Sequence, residues 1–172
     1  MTINLSFVSE VADTAELRAL MVDFFKGIVE LFEAAGGAGL SAQDLADGAI
    51  AHLDEILPPN GRLAMAHDAS GRLIGCGAFR VIRPDAVEMK RMFVKPEAQG
   101  QGLGRRLFEM RIAEAKAMGC RAIYADTAKG NTRMLNMYER FGFQYISRYP
   151  ENANPPELDP YLVYLEYQFP GT

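Results

Sequence analysis

The sequence predicts an α/β fold, and three observations carry that reading. Apolar residues recur at helical spacing in four stretches, and they alternate or run together in the segments between. The resulting order is strand, two helices, hairpin, strand, helix, strand, helix, strand, strand. A glycine-rich stretch, Gln99-Gly100-Gln101-Gly102-Leu103-Gly104, stands between a strand-like run and a helix. The 172 residues suffice for one domain with a full core and are too few for two, so residues 1–172 are expected to form one unit.

Residues 3–8 alternate as a first strand. Asp13 stands three residues before Glu16 as a capping box, and Leu17, Leu20, Met21, Phe24, Ile28, Leu31 and Phe32 form one helical face behind it. The glycines around Gly37 stop that helix, and Ser41 caps a second one expected to reach about Leu57. Residues 63–67 and 73–82, joined across Asp68-Ala69-Ser70-Gly71, read as an antiparallel hairpin, and Pro84-Asp85 turns into the strand 87–94. After the glycine loop, Leu103, Leu107, Met110 and Glu114 lie along successive turns, with Phe108, Ile112 and Ala115 widening the stripe up to Gly119. Residues 122–126 are a short buried strand. Asn131 caps a helix bearing Met134, Leu135, Tyr138 and Phe141, with Gly142 as its stop. Residues 143–147 and 161–169 are closing strands, and the four prolines in 150–160 exclude regular structure between them.

Alternate glycines leave the backbone N–H groups of the loop uncovered where a helix begins with unpaired donors and a positive dipole end, a construction for gripping a phosphate or pyrophosphate. A P-loop would need Lys and Ser or Thr after the last glycine, where Arg105, Arg106 and Leu107 stand. A dinucleotide fingerprint would need its third glycine at Arg105 or Leu107. Asp126 keeps that rival alive, since it ends the next apolar run at the distance of a ribose contact. A plain surface loop is weakened by the strand before it and the amphipathic helix after it.

The run from Glu88 to Gly104, with Val94-Lys95-Pro96 ahead of Gln99-Gly100-Gln101-Gly102-Leu103-Gly104, resembles the central motif of the GNAT superfamily, the acyl-CoA-dependent N-acyltransferases. A second block, with Asn131, Tyr138, Gly142 and Phe143, resembles the family's next motif. The resemblance covers about the central third of the chain in detail. It implies a mixed, mostly antiparallel sheet with a parallel splay between two central strands, flanked by about four helices. It also implies transfer of an acyl group, most simply acetyl, from acyl-CoA to a primary amine by direct attack in a ternary complex. The alternative is a non-catalytic acyl-CoA-binding or regulatory module.

By the same resemblance, Gly100, Gln101, Gly102, Leu103, Gly104 and Arg105 hold the CoA pyrophosphate through the loop backbone, and Gln99 also binds the cofactor. The backbone groups of Met92, Phe93 and Val94 contact the cofactor, an amide at or beside Met92 receives the thioester carbonyl, and Asn131 touches the pantetheine arm. Asn131 is equally explained as a helix cap, and both roles are compatible. Tyr138 is the acid that protonates the departing thiolate, against the alternative of a packed core aromatic. Glu88 is either the base for the incoming amine or the anionic half of an ion pair with Lys90 or an arginine. Pairing would lower its pKa and weaken it as a base. Alternation places Glu88, Lys90, Met92 and Val94 on one face, which is expected to open on a cleft near Glu88, because unpaired charges on a covered face cost several kcal/mol. Met134 departs from the small residues usual at its position. Tyr149, Asn152, Asn154, Glu157 and Tyr161 are expected to overhang the acceptor side.

Composition agrees. A formal charge of −4 argues against nucleic-acid binding and suits a cationic amine, a small molecule or a peptide. Cys76 and Cys120 lie in apolar stretches without metal-type spacing, which predicts reduced, buried thiols, no metal and a cytoplasmic setting. Residues 1–9 carry no basic-then-apolar signal pattern, and no run reaches membrane-spanning length. A homodimer is left open. His52 and His67 receive no role.

Overall fold

The computed structural model describes residues 2–171, so that Met1 and Thr172, the ends of the expected 1–172 unit, lie outside the described residues. Seven strands form one sheet: β1 (Asn4–Val8), β2 (Gly61–His67), β3 (Leu73–Arg83), β4 (Ala86–Val94), β5 (Ala122–Ala128), β6 (Gln144–Ile146) and β7 (Leu162–Gln168), in the spatial order β1-β2-β3-β4-β5-β7-β6. Every pairing is antiparallel except β4 with β5. Helices α1 (Thr14–Ala34) and α2 (Ala42–Ala51) cover one face, while α3 (Leu103–Ala117) and α4 (Thr132–Arg140) cover the other. This is the mixed sheet with a parallel central pair that the sequence implied.

Helices α1 and α2 start where their caps lie. Asp13 accepts from the Glu16 amide at 2.9 Å and Ser41 from the Asp44 amide at 3.2 Å. Only half of the Asp13 capping box forms, because the Glu16 carboxylate accepts instead from the Leu73 amide at 2.8 Å and so ties α1 to the start of β3. The second helix ends earlier than expected, at Ala51, and gives way to a 3-10 turn over Leu53–Ile56. Pro58 forces Leu57 into the extended region, and the tighter turn still buries Ile56. The proline-rich connection also holds more structure than expected, a 3-10 stretch over Pro156–Tyr161.

Two apolar layers sandwich the sheet. Leu17, Leu20 and Met21 of α1 pack on Leu63, Met65, Cys76 and Ala78, while Phe108 and Ala115 of α3 and Tyr138 of α4 pack on Phe79, Val87, Met89 and Ile123. The buried line of α3 is Leu103, Leu107, Phe108, Arg111 and Ala115. Met110 and Glu114, expected on that stripe, sit at its half-buried flank, and the charged Arg111 takes the interior position between them.

The feature that positions the site is the brevity of the parallel pairing. Strand β4 runs beside β5 for Ala86, Val87 and Glu88 alone, opposite Ala122, Ile123 and Tyr124. Beyond Glu88 the two strands part, whereas β5 stays paired with β7 along its whole length.

Candidate active site

Just past the parting, β4 carries a bulge. Cys76 faces Phe93 and Ala78 faces Lys90, so Gly77 alone stands opposite both Arg91 and Met92. Arg91 takes up the extra residue with φ of 48°, a left-handed conformation that costs a non-glycine residue about 1 kcal/mol. The Cys76 thiol donates to the Arg91 carbonyl at 3.3 Å and braces the bulge. The sequence could not reveal this irregularity, and it corrects the expected face of β4. Val87 and Met89 point to the α3–α4 layer, and so does Met92, while Phe93 packs into the α1 layer. Glu88 and Lys90 therefore do not share a face with Met92 and Val94.

Where the strands diverge, a groove of about 200 Å³ opens. Its floor is Met92, Phe93 and Val94, one wall is Phe24, Gly27, Ile28 and Leu31 of α1, and the other is Asn131, Arg133, Met134 and Met137. Gln99 and Gly104 close its glycine end. Gln99 donates to the Val94 carbonyl at 2.8 Å and accepts from Arg133 at 2.6 Å, which clamps the loop to α4. Asn131 caps α4 by accepting from the Met134 amide at 3.4 Å, and its amide nitrogen donates to Thr127 at 2.9 Å, so cap and groove wall are one residue. Met134 lines the groove and also packs against the core behind it.

Gly100 and Gly102 have φ of 77° and 76°, and a side chain on either would meet open space, so backbone conformation is what demands glycine there. Gly104 is different. Its conformation is ordinary, and a Cβ would point at the Met92 and Met137 side chains that line the groove, at 3.5 and 3.8 Å. Helix α3 starts with no side-chain cap and no acidic residue in its first turn. Gln101 is exposed, Leu103 is buried in the core, and the Arg105 side chain pairs with Glu109 at 2.7 Å. Beside the groove lies a second hollow, about 400 Å³, lined by Arg105, Arg133 and Arg140 with Asn136, Met137 and Phe141. Of the expected cofactor contacts, Met92, Phe93, Val94, Gln99, Gly104 and Asn131 line the groove, Arg105 lines the second hollow with Arg133 and Arg140, and Gly100, Gln101, Gly102 and Leu103 line neither. Neither Arg133 nor Arg140 belongs to a motif, so only their common helix could have signalled them.

Glu88 and Tyr138 lie off the groove wall. Glu88 is fully buried on the α1 face, held by Lys90 at 2.7 Å and by Arg80 at 3.3 and 3.2 Å. The cleft expected there is closed. Tyr149 stacks on Tyr124 at 4.9 Å, Arg80 donates to the Glu151 carbonyl at 2.5 Å, and these residues of the β6–β7 connection cover the carboxylate. Burial pulls its pKa up, but Lys90 and Arg80 outweigh that and hold the carboxyl below its ordinary value. Of the two meanings left open for Glu88, the geometry favours the ion pair.

Asp126 has the opposite environment. It stands on β5 two residues past the last parallel pair, accepts from Asn152 at 2.7 Å, and among the described residues meets no cation within ion-pair distance. Burial pushes its pKa up, only partly opposed by Lys90 and Asn152. Sequence reasoning noticed Asp126 only as a ribose contact, and its place beyond the last β4–β5 pair became visible with the strand register. Tyr138 is 4% exposed, packed on Phe108 and Phe143 with ring centroids at 5.3 and 5.0 Å. Burial drives its phenol far above the ordinary value, so it stays protonated, and no described protein group accepts from its hydroxyl. Among the described residues no cluster of His, Cys, Asp or Glu is fit to hold a metal, and no helix is long and apolar enough to cross a membrane.

Against known proteins, the profile of the Acetyltransferase (GNAT) family matches residues 26–143. The chain belongs to the GNAT acetyltransferase family. An uncharacterized N-acetyltransferase of Schizosaccharomyces pombe is 30% identical over 135 residues, which cover 78% of this chain and 83% of that protein. The IAA acetyltransferase of Azospirillum brasilense is 34% identical over 115 residues, 66% of this chain and 72% of that one. In fold, the chain is similar to the PaiA N-acetyltransferase of Thermoplasma acidophilum, solved with coenzyme A, with a TM-score of 0.70 at 18% identity, covering 98% and 100% of the two chains. The GNAT match runs from the second half of α1 to just past α4, and so contains the bulged strand and every groove residue except Phe24.

The pairing of Glu88 makes a stability prediction for this GNAT chain. Glu88→Gln leaves two largely buried cations without their anion, and urea denaturation at neutral pH should read a loss of about 2–4 kcal/mol. Because the folded-state pKa is depressed, that contribution is present above the unfolded value and disappears as pH falls through the folded one. The two proteins should therefore converge in acid, and equal stability at neutral pH would mean that the pair contributes nothing.

Proposed function

We propose that residues 1–172 act as one acyl-CoA-dependent N-acyltransferase unit, with acetyl-CoA as the acyl donor and a small-molecule or peptide amine as acceptor. The observation that carries the proposal is the groove that begins at the uncapped start of α3 and ends at the bulge on β4. Such a shape suits a long, thin donor with an anionic head and a reactive tail. The open glycines and the amides of Leu103, Gly104 and Arg105 would take the pyrophosphate, the hollow of Arg105, Arg133 and Arg140 a further phosphate, and Asn131 the pantetheine amides. The Thermoplasma protein of similar fold, solved with coenzyme A, supports a coenzyme A donor for the groove.

Direct attack needs a donor amide for the growing oxyanion, an acid near the sulfur and an acceptor for the amine proton. The bulge at Arg91–Met92 supplies strand backbone outside the regular ladder. Tyr138, protonated and without a protein partner, is the acid, and this free hydroxyl favours an enzyme over a binding module, which has no use for a proton donor there. For the base, Asp126 fits better than Glu88. Its pKa lies above the ordinary value and it is free of ion pairs, whereas Glu88 is held below and doubly paired. Glu88 then serves to fix Lys90 and Arg80 beneath the acceptor side.

Gly104→Val should weaken binding of coenzyme A in a calorimetric titration by at least about tenfold at unchanged melting temperature, since the new side chain enters the groove without backbone strain. Undiminished affinity would place the donor elsewhere. Tyr138→Phe keeps the ring packing and should retain affinity for coenzyme A, while transfer to an amine identified by panel screening falls about 10²–10⁴-fold. A near wild-type rate would reduce Tyr138 to a packed aromatic.

Asp126→Asn should remove the acid limb of the pH–rate profile that Glu88→Gln keeps. It should also raise the melting temperature at neutral pH. A carboxyl whose folded pKa is raised loses stability as pH rises between its unfolded and folded values, and the amide escapes that loss. An unaltered profile in the Asp126 variant would assign the amine proton to solvent.

A further inference from the structure

The one fully buried charged side chain on α3 has no counter-ion. Arg111 is 0% exposed. Its Nε donates to the Leu107 carbonyl at 3.1 Å, Nη1 to the Ala78 carbonyl at 2.9 Å, and Nη2 meets only the Met92 sulfur, at 2.7 Å. The guanidinium carbon lies 5.4 Å from the centroid of the Phe108 ring. No carboxylate reaches it among the ion pairs of the described residues. Room for it is made at Gly77, where a Cβ would come within 2.9 Å of Nε and 3.1 Å of Cζ. Gly77 is also the residue opposite the bulge on β4, so bulge and buried cation occupy the same spot on the two strands.

Such an arrangement is costly. Burying a charge without an opposite charge is among the least favourable acts in folding, and a leucine would suit this helix position. Its electrostatic neighbours are neutral. Tyr138 on α4 is a phenol kept protonated, and Cys76 on β3 a thiol pushed up to about 12 by burial. Glu88 and Asp126 stand on the α1 face of the sheet, where Lys90 and Arg80 hold the first and Asn152 the second. Burial draws Arg111 down to about 10, which leaves it charged at neutral pH. Met92 is the link to the groove, since its side chain both touches the guanidinium and lines the groove floor.

We propose that Arg111 is the built-in counter-charge for the coenzyme A thiolate set free by transfer, a role that rests on the acyl-CoA reading above. In that step the amine nitrogen bonds to the thioester carbon, the carbon–sulfur bond breaks with its electron pair going to sulfur, and the amine proton passes to the base. The thiolate then takes the Tyr138 proton, and the phenolate regains one from solvent. Whether the negative charge rests on sulfur or on the phenolate, it lies in the field of the same buried cation. Arg111 itself gains and loses no proton.

The test needs no acceptor. The thiol of coenzyme A bound at saturation is titrated by its thiolate absorbance, as the difference from the same protein saturated with desulfo-coenzyme A, which cancels the tyrosines. The thiol on wild-type protein should titrate at least about one pH unit below the thiol on Arg111→Met. Arg111→Lys, which restores the charge, should recover most of that difference, an outcome that mere packing would not produce. Equal titration on wild type and Arg111→Met overturns the proposal. Should Arg111→Met not fold, a wild-type complex whose thiol titrates above that of free coenzyme A overturns it as well. Failure of wild-type protein to bind coenzyme A at all overturns the acyl-CoA reading and this one together, whereas binding with an unshifted thiol overturns this one alone.

Discussion

Everything in the site depends on one unmade set of hydrogen bonds, those between β4 and β5 beyond Glu88 and Tyr124. A central strand that loses its neighbour must either admit water or offer its edge to something else. Here α1 and α4 stand on either side of the gap, and Ile28 and Leu31 face Met134 and Met137 across it. The bulge at Arg91–Met92 completes the break by turning Met92 to the α3 side and Phe93 to the α1 side. A groove results without any long insertion, because the opening is part of the sheet. β7 keeps β5 rigid by pairing along its full length, so the gap is held open from one side.

The same break explains the charges inside. Glu88 stands at the last parallel pair, where the sheet is still closed, and it is neutralised by Lys90 and Arg80 under the cover of Tyr149 and Glu151. Two residues further along β5, Asp126 makes no ion pair among the described residues and its pKa moves the other way. One step along two adjacent strands thus separates a carboxylate held below its ordinary pKa from one pushed above it. Arg91 and Arg111 are the uncompensated cations of this region. The first has a buried Nη1 without a partner on the α1 side, and the second lies without an acid on the α3 side. Both flank the bulge. A fold under selection for stability alone would replace them with apolar residues.

Sequence and structure agree best where the controlling interactions are local. Asp13, Ser41 and Asn131 cap the helices that the periodicity located, and Gly100, Gly102, Gly119 and Gly142 have the positive φ their positions required. The element order alone implied an α/β sandwich. The spacing of Asn131 and Tyr138 after the glycine loop carried the family resemblance. Disagreement begins where a residue answers to a partner remote in the chain. Glu16 abandons its capping box for Leu73, and the face of β4 inverts at a bulge set by Gly77 and Cys76.

By itself, then, the sequence determined the order of helices and strands, the hairpin and the left-handed glycines of the loop, because spacing, caps and glycine freedom are written within a few neighbouring residues. The tertiary structure alone decided which carboxylate is free and which charges are buried. Arg111 reads as a polar interruption of an apolar stripe until Ala78 and Met92, 33 and 19 residues away, are brought against it. Asp126 and Glu88 are equivalent acids in the chain, and the register between two strands and the cover of a distant loop leave one outside any ion pair of the described residues and make the other an ion-pair member. The energies of buried charges depend on what surrounds them in space, and periodicity along the chain carries no record of that surrounding.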